Sequence, residues 1–333
     1  MTRPSSPTTN HSATAPATDP ATSVDVAIVG GGPAGIAAAV ALGRSLRTVT
    51  VIDAGQARNA PSAHAHNVLG HEGRSPMEIR AAGRAEAEGY GATFRATSVT
   101  DVEGTGSDAD PAFTLTLADG ATLTARRLLL ASGLVDELPA IPGVREGWGR
   151  TVLHCPYCHG YEVRGQRVGV LGTSPNSLHQ ALLFRRLTPH VTLFRHGLEL
   201  TEEQWEQLAA LGVEVVDGEI ATLHHPTEDT CAVELATGQR FTLDAAVVGG
   251  RMLARGELFT RLGGTMTEHP FGEFIATQDA RGATAVPGVY AAGNATDLAA
   301  MVIASAAAGM MAGAGINAEL VMTDAAGAVA ARR

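Results

Sequence analysis

Val24-Asp-Val-Ala-Ile-Val29 is a short apolar run of mostly β-branched residues. Such a run predicts a strand buried on both faces of a parallel sheet. Gly30-Gly-Gly-Pro-Ala-Gly35 follows at once, and the apolar stretch Ile36 to Leu46 predicts a helix. A second apolar run, Thr48 to Ile52, predicts another strand and ends at Asp53. Residues 76–90 mix Met77, Ile79, Ala82, Ala85 and Ala87 with charges and predict a second helix. Phe113–Leu117 and Thr122–Leu130 alternate around Asp119-Gly120, which predicts an antiparallel pair. Pro139, Pro142 and Gly143 then mark a loop and a domain boundary. A second strand–helix–strand unit follows: Gln166–Leu171, an apolar helix to about Leu187, and Val191–Phe194. Gly288 to Asp297 predicts strand, turn and helix start. The uncharged stretch Leu298–Ile316 is rich in Ala and Gly, so it predicts a buried, closely packed helix and not a membrane span.

Residues 1–23 are rich in Pro, Ser, Thr and Ala and lack the apolar centre of a signal peptide, so they predict a disordered tail. The net charge of −10 argues against nucleic-acid and anionic-membrane partners. Every basic residue is arginine, which removes lysine chemistries such as Schiff bases and the P-loop. Three cysteines are too few for a disulfide scaffold and suit a reducing, cytoplasmic setting with one special pair.

The first unit carries the G-x-G-x-x-G spacing between strand and helix, with an acid after the second strand. Gly30 permits the tight turn, Gly32 lets a pyrophosphate approach backbone, and Gly35 lets helix and strand pack closely. The helix start offers free N–H groups to phosphate, and Asp53 can accept from a ribose hydroxyl. This predicts a dinucleotide site. In the second unit the middle glycine position is Ser174, followed by Pro175, which obstructs the same approach. Asn294 and Asp297, at a helix start after a strand, are placed to meet a ligand.

His154-Cys-Pro-Tyr-Cys-His159 admits four readings. The two-residue separation of Cys155 and Cys158 suits a redox dithiol. Cys-Pro-Tyr-Cys-His also matches the c-type haem pattern, which needs export. A structural zinc would want a second pair, so no metal is expected. Ordinary buried cysteines would not explain the intervening Pro and flanking histidines. The redox reading fits best. His159 is then the natural proton carrier, with a plain loop histidine as the alternative. Cys231 has no sequence partner and reads as structural.

Together the first-strand G-x-G-x-x-G, the C-x-x-C inside a second nucleotide-type unit, and the late Ala-Ala-Gly293-x-x-x-Asp297 resemble the low-molecular-weight thioredoxin reductases. Asp53-Ala-Gly-Gln-Ala-Arg-Asn59, the histidines at 64 and 66, and Cys-Pro-Tyr-Cys-His-Gly-Tyr-Glu162 resemble the branch of gliotoxin and holomycin dithiol oxidases. The resemblance implies an α/β fold of two Rossmann-like domains, the FAD domain being discontinuous, and a homodimer. It implies an FAD domain over residues 24–134 and 250–323, a central NAD(P)-type domain over 135–249, and a C-terminal tail over 324–333. It places Gly30, Gly32, Gly35, Asp53, Gly293 and Asn294 on FAD, and Asn67 near the flavin ring. It makes Cys158 the flavin-facing cysteine and Cys155 the one that meets substrate, with His159 in the place of an acid. The basic stretch that grips the NADPH 2′-phosphate is reduced here to Arg195-His-Gly197, with Thr201 at the last arginine position, which opposes NADPH use. The expected activity is oxidation of a small dithiol with oxygen as acceptor. An NADPH-dependent reductase of a thioredoxin-like protein and a non-catalytic FAD redox sensor are the alternatives.

Overall fold

The computed structural model describes residues 22–333, so the tail expected over 1–23 lies almost wholly outside the described residues. Strand β1 (Ser23–Val29) leads into helix α1 (Pro33–Arg44) and strand β2 (Val49–Ile52), which pairs parallel with β1. Helix α2 (Pro76–Gly89) and strand β3 (Thr93–Arg95) extend the sheet on that side. On the other side β6 (Thr122–Leu130) runs parallel to β1, and the meander β4 (Val99–Gly104), β5 (Phe113–Leu117), β6 is antiparallel, as the alternation predicts.

This first sheet is completed from far along the chain. Strand Val289–Ala291 adds parallel to β6, with Val289 opposite Leu128. The helix after it runs from Val302 to Ala330, so it starts later and ends later than the uncharged stretch suggests. It continues through residues read as a tail because Asp324 is held there by Arg47 and Arg126 at 2.8 and 2.6 Å. The helix lies on α1 through small residues: a Cβ at Gly309 would run into the Ala34 backbone, and Gly313 abuts Ala38. Its buried face, with Ala312, Ile316 and Leu320, joins Val26, Ile28, Ala38 and Leu42 in one core. Arg127 is fully buried beneath it, 2.8 Å from Glu319, which also accepts from the Tyr290 hydroxyl. No helix among the described residues is long and apolar enough to cross a membrane.

The second unit is built on a five-stranded parallel sheet in the spatial order 214–216, 191–194, 168–171, 245–248, 152–153. Its inner strands 168–171 and 245–248 are fully buried runs of Val, Leu, Gly and Ala, as expected where helices or loops cover both faces. A three-stranded antiparallel sheet (220–227, 230–235, 240–243) flanks it. Strands Leu134–Glu137 and Arg251–Ala254 pair antiparallel where the chain enters and leaves this unit. Cys231 lies buried in its core, where burial pushes the thiol pKa up to about 12, so it stays an unreactive thiol.

Candidate active site

One cavity of about 960 Å³ runs from the first glycine loop to the cysteine pair. At its near end Gly30 turns with φ +109°, a conformation other residues rarely adopt. A Cβ at Gly32 would meet nothing within 4 Å, so the loop presents bare backbone to open space. At Gly35 a Cβ would collide with the Gly30 carbonyl, so this glycine serves helix–strand packing, as its spacing predicts. Helix α1 begins at Gly32 and Pro33 with no side-chain cap, leaving its first N–H groups directed outward. Asp53 also lines the cavity, but its carboxylate accepts from Arg80 at 2.6 Å and from the Gly55 N–H at 3.1 Å. Arg80 projects from α2, whose start is fixed by a Ser75–Glu78 capping box, and it also donates to the Gly31 carbonyl at 3.1 Å. An elongated cavity with a bare-backbone, positively polarised end and an acid beside it fits an adenine dinucleotide such as FAD.

Asn294 lines the cavity with its amide donating to the Asp297 and Ala300 carbonyls, both at 2.9 Å, and its oxygen accepting from Arg58 at 3.3 Å. Gly293, at φ +72°, lies against Ala34 and Ser305. Arg58 makes a two-point pair with Asp136, at 2.7 and 2.6 Å, tying the first unit to the strand that leads into the second.

At the far end, Cys155 follows strand Val152–Leu153 and starts the short helix Pro156–His159, with Pro156 in the first turn where its missing N–H costs nothing. Cys155 and Cys158 are disulfide-bonded, with Cα atoms 5.2 Å apart. Gly160 is needed behind them, since a Cβ there would strike the Pro156 carbonyl and Leu187. The turn is held from below: Gln180 donates to the His154 and Val248 carbonyls at 2.8 and 3.2 Å, and His154 Nδ1 donates to Val248 at 3.1 Å. Burial lowers the His154 pKa below its usual value, against that hydrogen bond. Burial also lowers the His159 pKa; the Glu162 charge opposes this, and His66 and His64 reinforce it.

A loop of the first unit, residues 59–74, folds over this turn. His159 Nε2 is 2.8 Å from Ser62 Oγ. Asn67 donates to the Tyr157 carbonyl at 2.7 Å, with its own backbone at φ +58°. His66 lies between Glu72 at 2.7 Å and Glu162 at 3.4 Å. Asn67 is exposed and is not part of the cavity wall, and its amide holds the cysteine turn through the Tyr157 carbonyl. Tyr157 and Tyr161, 63 % and 65 % exposed, stand outside the pair.

Sequence reasoning missed Arg58, Ser62, Arg80 and Asp136. Arg58 lies inside the Asp53–Asn59 stretch quoted above, and Ser62 just beyond it, but nothing along the chain says that this segment lies on the cysteine turn. Arg80 looked like one charge on an ordinary amphipathic helix.

The description pyridine nucleotide-disulphide oxidoreductase matches residues 24–313. The chain is 32 % identical over 320 residues to thioredoxin reductase sirT of Leptosphaeria maculans, covering 90 % of this chain and 95 % of that protein. Among solved structures, HlmI is 45 % identical with a TM-score of 0.88, covering 93 % of this chain and 96 % of that one. An oxidoreductase from Agrobacterium tumefaciens is 35 % identical with a TM-score of 0.84, covering 90 % and 99 %.

Proposed function

The chain belongs to the pyridine nucleotide-disulphide oxidoreductase family, and from that premise we propose that it is an FAD-dependent oxidase of a small dithiol, acting through Cys155 and Cys158. The observation that carries the reading is that the disulfide and the open glycine cradle share one cavity. We assign FAD to the unit formed by residues 24–134 and 250–323, and the cysteine pair to a central domain over 135–249. Gly30, Gly32 and the start of α1 would hold the pyrophosphate, Asp53 with Arg80 the ribose, and Asn294 with Arg58 the middle of the cofactor. Bound FAD would supply a two-electron acceptor for the reduced cysteine pair, with oxygen as the final acceptor.

The chain's own chemistry follows from the disulfide. A substrate thiolate attacks Cys155 Sγ, forming a mixed disulfide and releasing Cys158 as thiolate. His159 takes the proton of the second substrate thiol. That thiolate attacks the substrate sulfur of the mixed disulfide and releases Cys155. The substrate leaves as a disulfide, and its two electrons remain on Cys155 and Cys158. Burial favours the neutral imidazole of His159, the form able to accept a proton. Tyr157 and Tyr161 give the approach an aromatic rim.

The homodimer and the cytoplasmic setting belong to the same proposal. Ile303, Met310 and Met311 are exposed on one face of the C-terminal helix, which supports its use between subunits. Sedimentation should give twice the chain mass.

The test is anaerobic. Dithiothreitol in one cuvette and NADPH in another are followed by the flavin absorbance. Bleaching by the dithiol alone, reversed by air, is expected. Fast bleaching by NADPH would overturn the reading in favour of a nicotinamide-driven reductase. Bleaching by neither would leave a flavin-binding sensor.

A further inference from the structure

The Ser62 hydroxyl lies between two partners, 2.7 Å from the His64 carbonyl and 2.8 Å from His159 Nε2. A carbonyl can only accept, so the single hydroxyl proton goes to His64. Ser62 Oγ can then only accept from His159, and Nε2 must carry the hydrogen. A neutral imidazole protonated on Nε2 has its lone pair on Nδ1. Among the described residues no group bonds Nδ1, and His159 lines the cavity beside Cys155 and Cys158.

We propose that Ser62 is a positioning residue that fixes the tautomer of His159, so that Nδ1 faces the reaction as proton acceptor. This rests on the dithiol-oxidase reading above. The substrate S–H bond breaks, its proton goes to Nδ1, and the electron pair stays on sulfur as the attacking thiolate. His159 becomes an imidazolium, and its Nε2–H bond to Ser62 becomes charge-assisted and stronger. Ser62 itself loses no proton. It is held in place by its N–H bond to the Asn59 carbonyl at 3.1 Å and by His64, whose Nδ1 donates to the Gly73 carbonyl at 2.9 Å. The charged and titratable groups facing His159 are Glu162 on its own segment and His66 and His64 on the covering loop, with Glu72 behind His66.

The tautomer is read by nitrogen-15 NMR of the holoenzyme labelled at histidine, with the His159 signals identified by their loss in His159→Asn. A pyrrole-like Nε2 and a pyridine-like Nδ1 are expected; the reverse assignment overturns the proposal. Ser62→Ala should mix the tautomers and lower kcat with dithiothreitol by about 10- to 100-fold. It should also move the acid limb of the pH profile to lower pH, because the imidazolium loses an acceptor. Ser62→Thr keeps the hydroxyl and should return the rate to within a few-fold of wild type. If His159→Asn is impaired while Ser62→Ala keeps the wild-type rate and pH profile, the Ser62 role is wrong and the dithiol reading stands. If the wild type does not oxidise dithiothreitol, that reading fails, and the NMR assignment alone decides the tautomer.

Discussion

The chain folds two glycine loops in the same strand-to-helix setting, and they end differently. At Gly30–Gly35 the middle glycine faces open space and the helix start is bare. At Gly172–Ser177 the middle position is Ser174, whose hydroxyl is turned inward against Gly249 and has no partner among the described residues. Gln180 Oε1, also buried and without a partner, lies on the same side of Gly249. The first loop leaves its backbone open at the cavity; the second folds a side chain into its own floor. The same strand–turn–helix frame therefore opens a cradle in one unit and closes it in the other, by the side chain at a single position.

The largest break in that comparison should come from Gly32→Val. Gly32 sits at φ −80°, which any residue adopts, so the fold should survive while the side chain fills the cradle. Flavin content after purification should drop to a few per cent of wild type, with an unchanged circular dichroism spectrum. A variant that retained full flavin would remove the first loop from the site. Next, Arg80→Ala should weaken flavin affinity by about tenfold, as loss of one charge-assisted bond that holds Asp53. Titration of the apoprotein measures this.

The pH axis tests the central unit. His154 and His159 have folded-state pKa values lowered by burial from the ordinary 6.5. Between that value and the lowered ones the unfolded chain binds more protons, so stability rises with pH there. Their contribution is whole above about pH 6.5 and is lost as pH falls from there through the lowered folded-state values. The melting temperature should drop by about 2–4 °C from pH 7.5 to 5.5, and less in His154→Gln. A drop of the same size in that variant would exclude His154 as its source. The smallest effect should be Ser174→Ala, which removes a buried hydroxyl without a partner and should raise stability by up to about 1 kcal/mol in denaturant unfolding.

The strands and helices that place the cradle were legible because they obey local rules. β1 is a β-branched run, the glycine spacing fixes the turn, and the Asp119-Gly120 hairpin declares itself. The cysteine pair was equally plain. The C-terminal helix was placed but cut short, because the uncharged stretch Leu298–Ile316 ends before the charges begin and nothing along the chain shows that Asp324 lies beside Arg47 and Arg126. The roles of Ser62 and Asn67 were illegible for a different reason. Both act on the cysteine turn from about ninety residues away in sequence, and a loop of Ala, His, Gly and Ser carries no period that says where it lands. The amide of Asn67 meets a carbonyl of that turn, a contact that no spacing along the chain announces.

The sheet that carries the cradle needs strand Val289–Ala291 and the helix Val302–Ala330, whereas the five-stranded sheet is drawn from residues 152–248 alone. During synthesis the central unit can therefore close while the first still lacks its last strand and the helix that packs on α1. The strands that carry the cysteine turn are thus complete in the chain before the strand and helix that finish the first sheet. The sulfurs can therefore pair before the sheet beneath the glycine loop is complete.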